Sequence, residues 1–89
     1  MQPIYNMKNI DLNYLNSYVK YYVEDNSLYL HNTLYNKNVI LNGSNETLKE
    51  LIIVLQQGAT YKQLIKILQK ISEKSSELYE YLLQNFIVE

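Results

Sequence analysis

The spacing of apolar residues changes once along this chain, at Asn42-Gly43. Before this pair, short β-branched and aromatic runs alternate with polar residues, which is typical of β-strands. After it, apolar residues recur every three or four positions, which is typical of amphipathic helices. The pattern predicts an α+β fold in which strands come first and helices follow.

Three segments are predicted to be strands, namely residues 18–23, 28–31 and 34–41. Asp25 and Asn26 accept positive φ, so residues 24–27 are predicted to form a tight turn between the first two strands. Asn32-Thr33 marks a second break before the third strand. Because both connections are short, the strands should form an antiparallel three-stranded sheet.

Three helices are predicted to follow the sheet. The first should begin at Ser44 or Asn45, which can accept a hydrogen bond from a free backbone amide, and end at Gly58, where a left-handed residue needs no Cβ. Thr60 should begin the second helix, with Gln63 completing a capping box. The last helix is predicted over residues 75–84, capped by Ser75 or Ser76.

The apolar stripe of the last helix comprises Leu78, Leu82 and Phe86, with Tyr81 and Leu83 beside it. Residues 1–17 show no clear pattern of a helix or a strand, because asparagine recurs too often for a stable helix. We expect residues 1–17 to form a loosely structured loop with at most one helical turn, ahead of a domain at residues 18–89.

Charge and composition argue against several classes of function. The 89 residues include eight lysines, no arginine, nine acidic residues and no cysteine. Proteins that recognise duplex DNA cluster cationic side chains on one face and use arginine to contact the bases, so DNA binding is disfavoured for this chain. The absence of cysteine excludes disulfides and thiolate metal sites, and fits a reducing cytoplasm. Neither a membrane-spanning segment nor a signal peptide is evident.

One regular charge pattern is a four-residue lysine ladder predicted along the second helix: Lys62, Lys66, Lys70 and Lys74. It could face an anionic ligand, but a solvated helix face is the favoured interpretation.

The residues offer no recognisable catalytic group. His31 is the only histidine, so no second imidazole could share a metal with it. The carboxylates of Asp11, Glu24 and Asp25 are interpreted as solvated, and Ser44 as a helix cap. We therefore expect no catalytic residue, no metal and no cofactor.

Ten tyrosines are more than so small a core can bury, because buried hydroxyl groups need partners. They either coat the surface or line a shallow groove between the third strand and the last helix. Neither interpretation is favoured; the groove is the functional one, because tyrosine is enriched at binding interfaces.

The chain resembles the PqqD-like family, small winged-helix domains known as RiPP recognition elements. The resemblance rests on an aliphatic strand ending at Leu41-Asn42, a helix closed by Gly58, residues 60–64 opening the next helix, and residues 85–88 after the last one. It covers roughly residues 18–88. The first helix is about one turn longer than the family's, and Asn85 stands where many relatives have glycine.

The resemblance implies a winged helix-turn-helix that binds the leader of a ribosomally made precursor peptide by strand addition. It would present the precursor to a separate enzyme of natural product biosynthesis, such as a radical SAM maturase, an ATP-grasp ligase, a cyclodehydratase or a lasso-type protease. The implied groove residues are Leu34, Tyr35, Asn36, Lys37, Asn38, Val39, Ile40, Lys74, Tyr79, Leu82, Leu83 and Phe86. The alternatives are a winged-helix DNA-binding regulator and a small structural subunit that docks on a larger protein.

Overall fold

The computed structural model describes residues 11–89 and contains a three-stranded antiparallel sheet followed by three helices. This order confirms the predicted α+β fold. The elements are β1 (Val19–Glu24), β2 (Ser27–Asn32), β3 (Lys37–Asn42), α1 (Asn45–Gln57), α2 (Tyr61–Leu68) and α3 (Ser75–Gln84).

The hairpin between β1 and β2 has the predicted tight turn. Asp25 and Asn26 adopt φ values of 50° and 62°, the two positive angles of a type I′ turn. Asn26 and Asn45 also exchange hydrogen bonds, since each backbone amide donates to the other residue's side-chain oxygen, at 2.8 and 3.3 Å. The turn is thereby joined to the start of α1.

The third strand is shorter than predicted, because it begins at Lys37 and not at Leu34. The side-chain oxygen of Asn32 accepts hydrogen bonds from the amides of Leu34 and Tyr35, both at 2.9 Å. Asn36 then reverses the chain with φ 54°. Residues 33–36 are therefore a turn, and the predicted strand at Leu34, Tyr35 and Asn36 is wrong.

The core lies between one face of the sheet and the helices. Alternate strand residues face inward, so that Leu28, Leu30, Val39 and Leu41 are buried while their neighbours lie nearer the solvent. From the helices and the C-terminal segment, the buried apolar residues are Leu48, Leu51, Ile52, Leu55, Leu64, Ile67, Leu68, Leu82, Ile87 and Val88.

Two of the three predicted helix starts are confirmed. The Ser44 side chain accepts from the Thr47 amide, and Thr60 and Gln63 form the full capping box. At α3 the prediction is wrong, because Lys74 is the N-cap residue and makes no side-chain cap bond. Ser75 is instead buried against the core.

The segment at residues 11–17 is more firmly attached than predicted. It runs extended, and Asn13 pairs with Ala59 through backbone bonds in both directions, at 2.7 and 2.9 Å. Tyr14 forms the same kind of pair with Glu89, while the Leu15 amide donates to the Leu55 carbonyl. Residues 11–17 thus form a loop without a helical turn that is tied to the domain by backbone bonds, and residues 1–10 lie outside the described residues.

Gly58 ends α1 with φ 96° and ψ 121°. The positive φ agrees with the prediction, although ψ lies outside the left-handed helical region. A Cβ on Gly58 would lie 2.7 Å from the Tyr14 ring. Any larger residue at this position would therefore clash with the ring and displace it.

We expect Gly58→Ala to lower the free energy of unfolding by about 1–2 kcal/mol, from backbone strain and displacement of the Tyr14 ring. Denaturant unfolding would measure the loss. Gly43→Ala is the matched control, because a Cβ there meets only ordinary contacts at 3.5 Å and beyond. Equal stability of the two variants would contradict the role given to Gly58.

No helix within residues 11–89 is both long and apolar enough to cross a membrane.

Candidate functional site

The candidate site is built on the outer edge of β3. Within residues 11–89, β3 pairs with β2 on one side only. The Gly43 amide donates to the Asn26 carbonyl, and hydrogen-bonded pairs alternate along an antiparallel ladder. The backbone groups of Asn38, Ile40 and Asn42 therefore point away from β2, toward the open edge.

The segments that flank α3 lie next to the segments that flank β3, in the order that makes the helix antiparallel to the strand. At one end, Ile71 lies next to Gly43, where an added Cβ would be 3.5 Å from the isoleucine. At the other end, the rings of Tyr35 and Phe86 lie 4.5 Å apart between centroids. A six-residue strand spans about 20 Å and a ten-residue helix about 15 Å, so the helix is about three quarters as long as the strand.

The anchor of the second end is Asn32, which is fully buried. Its side-chain amide donates to the Phe86 carbonyl at 2.7 Å, while its oxygen accepts from Leu34 and Tyr35. One side chain thus fixes both the turn before β3 and the segment after α3. In the sequence, Asn32 is recognisable only as a break, because an asparagine in a turn gives no signal of such a long-range contact.

The residue with positive φ after α3 is Phe86 and not Asn85, the position where many members of the resembled family have glycine. Asn85 has φ −97°, and Phe86 has φ 56°. Positive φ is uncommon for a bulky residue. The bond from Asn32 and the contact with Tyr35 hold Phe86 in this conformation, with its ring about two-fifths exposed.

The side of α3 that carries Tyr79 faces away from β3. The Tyr79 hydroxyl donates to the Asn13 side-chain oxygen at 2.7 Å, and its ring packs edge-on against Tyr61 of α2. Leu83 lies one turn further along the same side. Leu82 is fully buried beneath the helix. The contacts of Tyr79 and the burial of Leu82 do not fit the groove wall predicted for them, while the assignment of Leu83 stays a prediction.

The opposite flank of α3 is the one available to β3. Successive helix residues turn by about 100°, which places Leu78, Tyr81 and Asn85 on the other side of Leu82 from Tyr79. Leu78 is half-buried and Tyr81 is 46% exposed. None of the three was among the residues predicted to line the groove, because helical periodicity identifies the buried stripe but not which flank meets which neighbour.

Of the other predicted residues, Leu34 and Tyr35 lie exposed in the turn, where Asn36 hydrogen-bonds His31 at 3.0 Å. Val39 is buried in the core beneath the edge. Asn38 and Ile40 belong to the edge itself, with their side chains on the solvent face of the sheet.

Two lysines mark opposite ends of the site. Lys37 is exposed at the start of β3, and Lys74 precedes α3. Lys74 approaches Glu77 at 4.0 Å with both side chains largely exposed, so this pair contributes little to stability.

The predicted lysine ladder is broken by the end of α2 at Leu68. Only Lys62 and Lys66 lie on that helix. Lys70 pairs with Glu50 of α1 at 3.3 Å. The described residues therefore place no continuous cationic stripe along α2.

Tyr79→Phe tests the position given to this residue. We expect it to lower the free energy of unfolding by about 1 kcal/mol, because the buried Asn13 oxygen loses its donor. Tyr81→Phe, at an exposed position, is the matched control, and equal stability of the two variants would contradict the assigned contact.

The same variant should change the dependence of stability on pH. Partial burial raises the pKa of Tyr79 above its ordinary 10.0, with Glu80, Tyr61 and Asp11 adding to the effect. The folded protein holds this proton more tightly than the unfolded chain, so the contribution is complete below pH 10.0 and is lost as pH rises through the folded pKa. Tyr79→Phe should lack this component of alkaline destabilisation.

Within the described residues, no three His, Cys, Asp or Glu side chains cluster as a metal site would require. The arrangement that remains is a strand edge beside a helix. Comparison of the chain with protein-family models, curated proteins and solved structures gave no match.

Proposed function

We propose that this chain is a non-catalytic peptide-binding module, which recognises the leader of a ribosomally made precursor peptide and presents it to a separate modifying enzyme. The observation that carries the proposal is the outer edge of β3 beside α3, which runs antiparallel to it with both ends held in place. An unpaired edge offers main-chain donors and acceptors to an extended peptide.

The alternation of side chains along a strand gives the expected form of the ligand. A peptide that pairs antiparallel with β3 would hydrogen-bond to Asn38, Ile40 and Asn42. Its residues opposite those positions would point to the solvent face. The intervening residues, opposite Val39 and Leu41, would point toward α3, so we propose apolar side chains at every second peptide position there.

The modifying enzyme belongs to the proposal as a class of partner: a radical SAM maturase, an ATP-grasp ligase, a cyclodehydratase or a lasso-type protease. Such enzymes act on precursors in the cytoplasm, which is where we propose that this chain acts. A gene for a short peptide and a gene for one of these enzymes beside the chain's own gene would support the proposal.

A titration tests the site directly. The probe is a synthetic leader from the short peptide encoded beside the chain's gene, added to isotope-labelled protein while backbone amide shifts are followed. We propose that the shifts map to β3, to the Leu78–Tyr81 flank of α3 and to Phe86. Shifts confined to Lys62, Lys66 and their neighbours on α2 would contradict the proposal.

DNA binding is the second hypothesis, and we expect it to fail. With no arginine and net charge −1, the chain should bind duplex DNA no more tightly than the non-specific range of about 10⁻⁴–10⁻⁶ M at physiological salt. A gel-shift titration measures this, with scrambled duplex as the control. Sequence-specific binding at nanomolar protein would overturn the expectation.

A further inference from the structure

The second open edge of the sheet, on β1, carries a pattern that the proposed peptide site does not use. Within residues 11–89, β1 pairs only with β2. The Thr33 amide donates to the Tyr18 carbonyl, so the ladder bonds alternate from that pair, and the backbone groups of Tyr21 and Val23 point outward.

The solvent face of β1 is self-complementary in charge. Lys20, Tyr22 and Glu24 alternate along this face and all three are exposed. When two copies of β1 lie antiparallel with Tyr22 opposite Tyr22, Lys20 of each copy lies opposite Glu24 of the other. A shift of two residues either way places Tyr22 opposite a charge and removes both ion pairs.

The same register also allows backbone hydrogen bonds to form between the two β1 strands. It places Tyr21 opposite Val23 of the second copy, and these are the residues whose N–H and C=O groups point outward. Their pairs would be hydrogen-bonded, while the Tyr22 and Lys20–Glu24 pairs would be the close non-hydrogen-bonded kind, where side chains interact best. Tyr22 already stacks on Tyr29 at 4.5 Å between centroids, so its ring is held in place.

The helix layer beneath this edge is open and mainly apolar, with Lys49 and Gln56 as its polar lining residues. A groove of about 240 Å³ lies between β1 and α1, and Ile53 on its wall is 52% exposed. In a pair related by a two-fold axis perpendicular to the sheet, the two grooves would meet, and Tyr21 and Val23 of each copy would cover the other's. Exposed aliphatic surface beside an open edge is what a second copy would bury.

We propose that the chain forms a symmetric dimer through its β1 edges, in the register that places Lys20 opposite Glu24 of the second copy. One continuous sheet would then span both copies, with β3 and α3 at its two outer ends. The dimer is independent of the proposed peptide site and leaves that site open in each copy.

Charge reversal tests the register. Sedimentation equilibrium of the full chain, up to about 1 mM, should show a monomer–dimer equilibrium. Lys20→Glu and Glu24→Lys each turn two attractive contacts into repulsive ones, so each should raise the dissociation constant by about tenfold or more. The double variant Lys20→Glu/Glu24→Lys restores opposite charges and should return it to near the wild-type value.

Lys37→Glu is the matched control, because it reverses an exposed lysine on the other edge and should leave the equilibrium unchanged. Circular dichroism of each variant would show that the fold is retained. A monomer throughout the concentration range would overturn the proposal. So would a dimer indifferent to both single reversals, or one that the double variant fails to restore.

Discussion

Asn32→Ala should lower the free energy of unfolding by about 3–5 kcal/mol, a large share of what a domain of this size possesses. The side chain is fully buried and makes three hydrogen bonds, to the Phe86 carbonyl and to the amides of Leu34 and Tyr35. Each bond contributes about 1 kcal/mol net, and removal of the side chain also leaves a cavity. Denaturant unfolding with an unchanged slope would measure the loss.

Asn38→Ala is the matched control for this substitution. Asn38 is an exposed asparagine in the neighbouring strand, where truncation should change stability by no more than about 0.5 kcal/mol. Hydrogen exchange adds a local readout, since the amides of Leu34 and Tyr35 should lose protection in the Asn32 variant. A loss below about 1 kcal/mol would show that Asn32 is not the anchor of this end of the site.

Asn32 also shows why the start of the third strand could not be predicted from the sequence. Tyr35 is of a residue type enriched in strands, and Leu34 is an apolar residue beside it. Their amides are nevertheless taken by a side chain whose own position depends on Phe86, 54 residues further along the chain. Such a contact leaves no trace in a local pattern, so the predicted strand included three residues of the turn.

The features that could be predicted are those decided by near neighbours. Asp25-Asn26 specify a type I′ turn by their own tolerance of positive φ, and Thr60 and Gln63 cap α2 over three residues. The change from strand to helix spacing gave the order of all six elements. Each of these signals operates within a few positions of the chain.

The flanks of α3 show what could not be predicted from the sequence at the candidate site. The stripe containing Leu82 is evident in the sequence, but two flanks adjoin it and both carry tyrosine. Tyr79 turns toward Asn13, 66 residues earlier, and Tyr81 lies on the other flank. Only the packing of α3 against α2 distinguishes the two flanks, so the sequence could not show that Tyr79 faces Asn13 and α2.

Ile40→Pro should weaken binding of the leader peptide about ten- to hundredfold if the peptide adds to β3 as proposed. Ile40 lies in the middle of the edge, its amide points outward, and proline removes that donor while its ring obstructs the incoming strand. The ladder to β2 uses the flanking residues Val39 and Leu41, so an edge proline should leave the fold intact. Isothermal titration with the synthetic leader would measure the loss.

One comparison, Ile40→Ala, separates the backbone from the side chain in this test. Ile40→Ala keeps the amide and removes a side chain that is 58% exposed on the solvent face, so it should bind the leader nearly as the wild type does. Asn36→Pro is uninformative, because φ 54° at Asn36 is incompatible with proline and the turn itself would be strained. Wild-type affinity in Ile40→Pro would show that the peptide does not pair with β3. An equal loss in Ile40→Pro and Ile40→Ala would place the peptide on the solvent face of the sheet instead of in the groove beside α3.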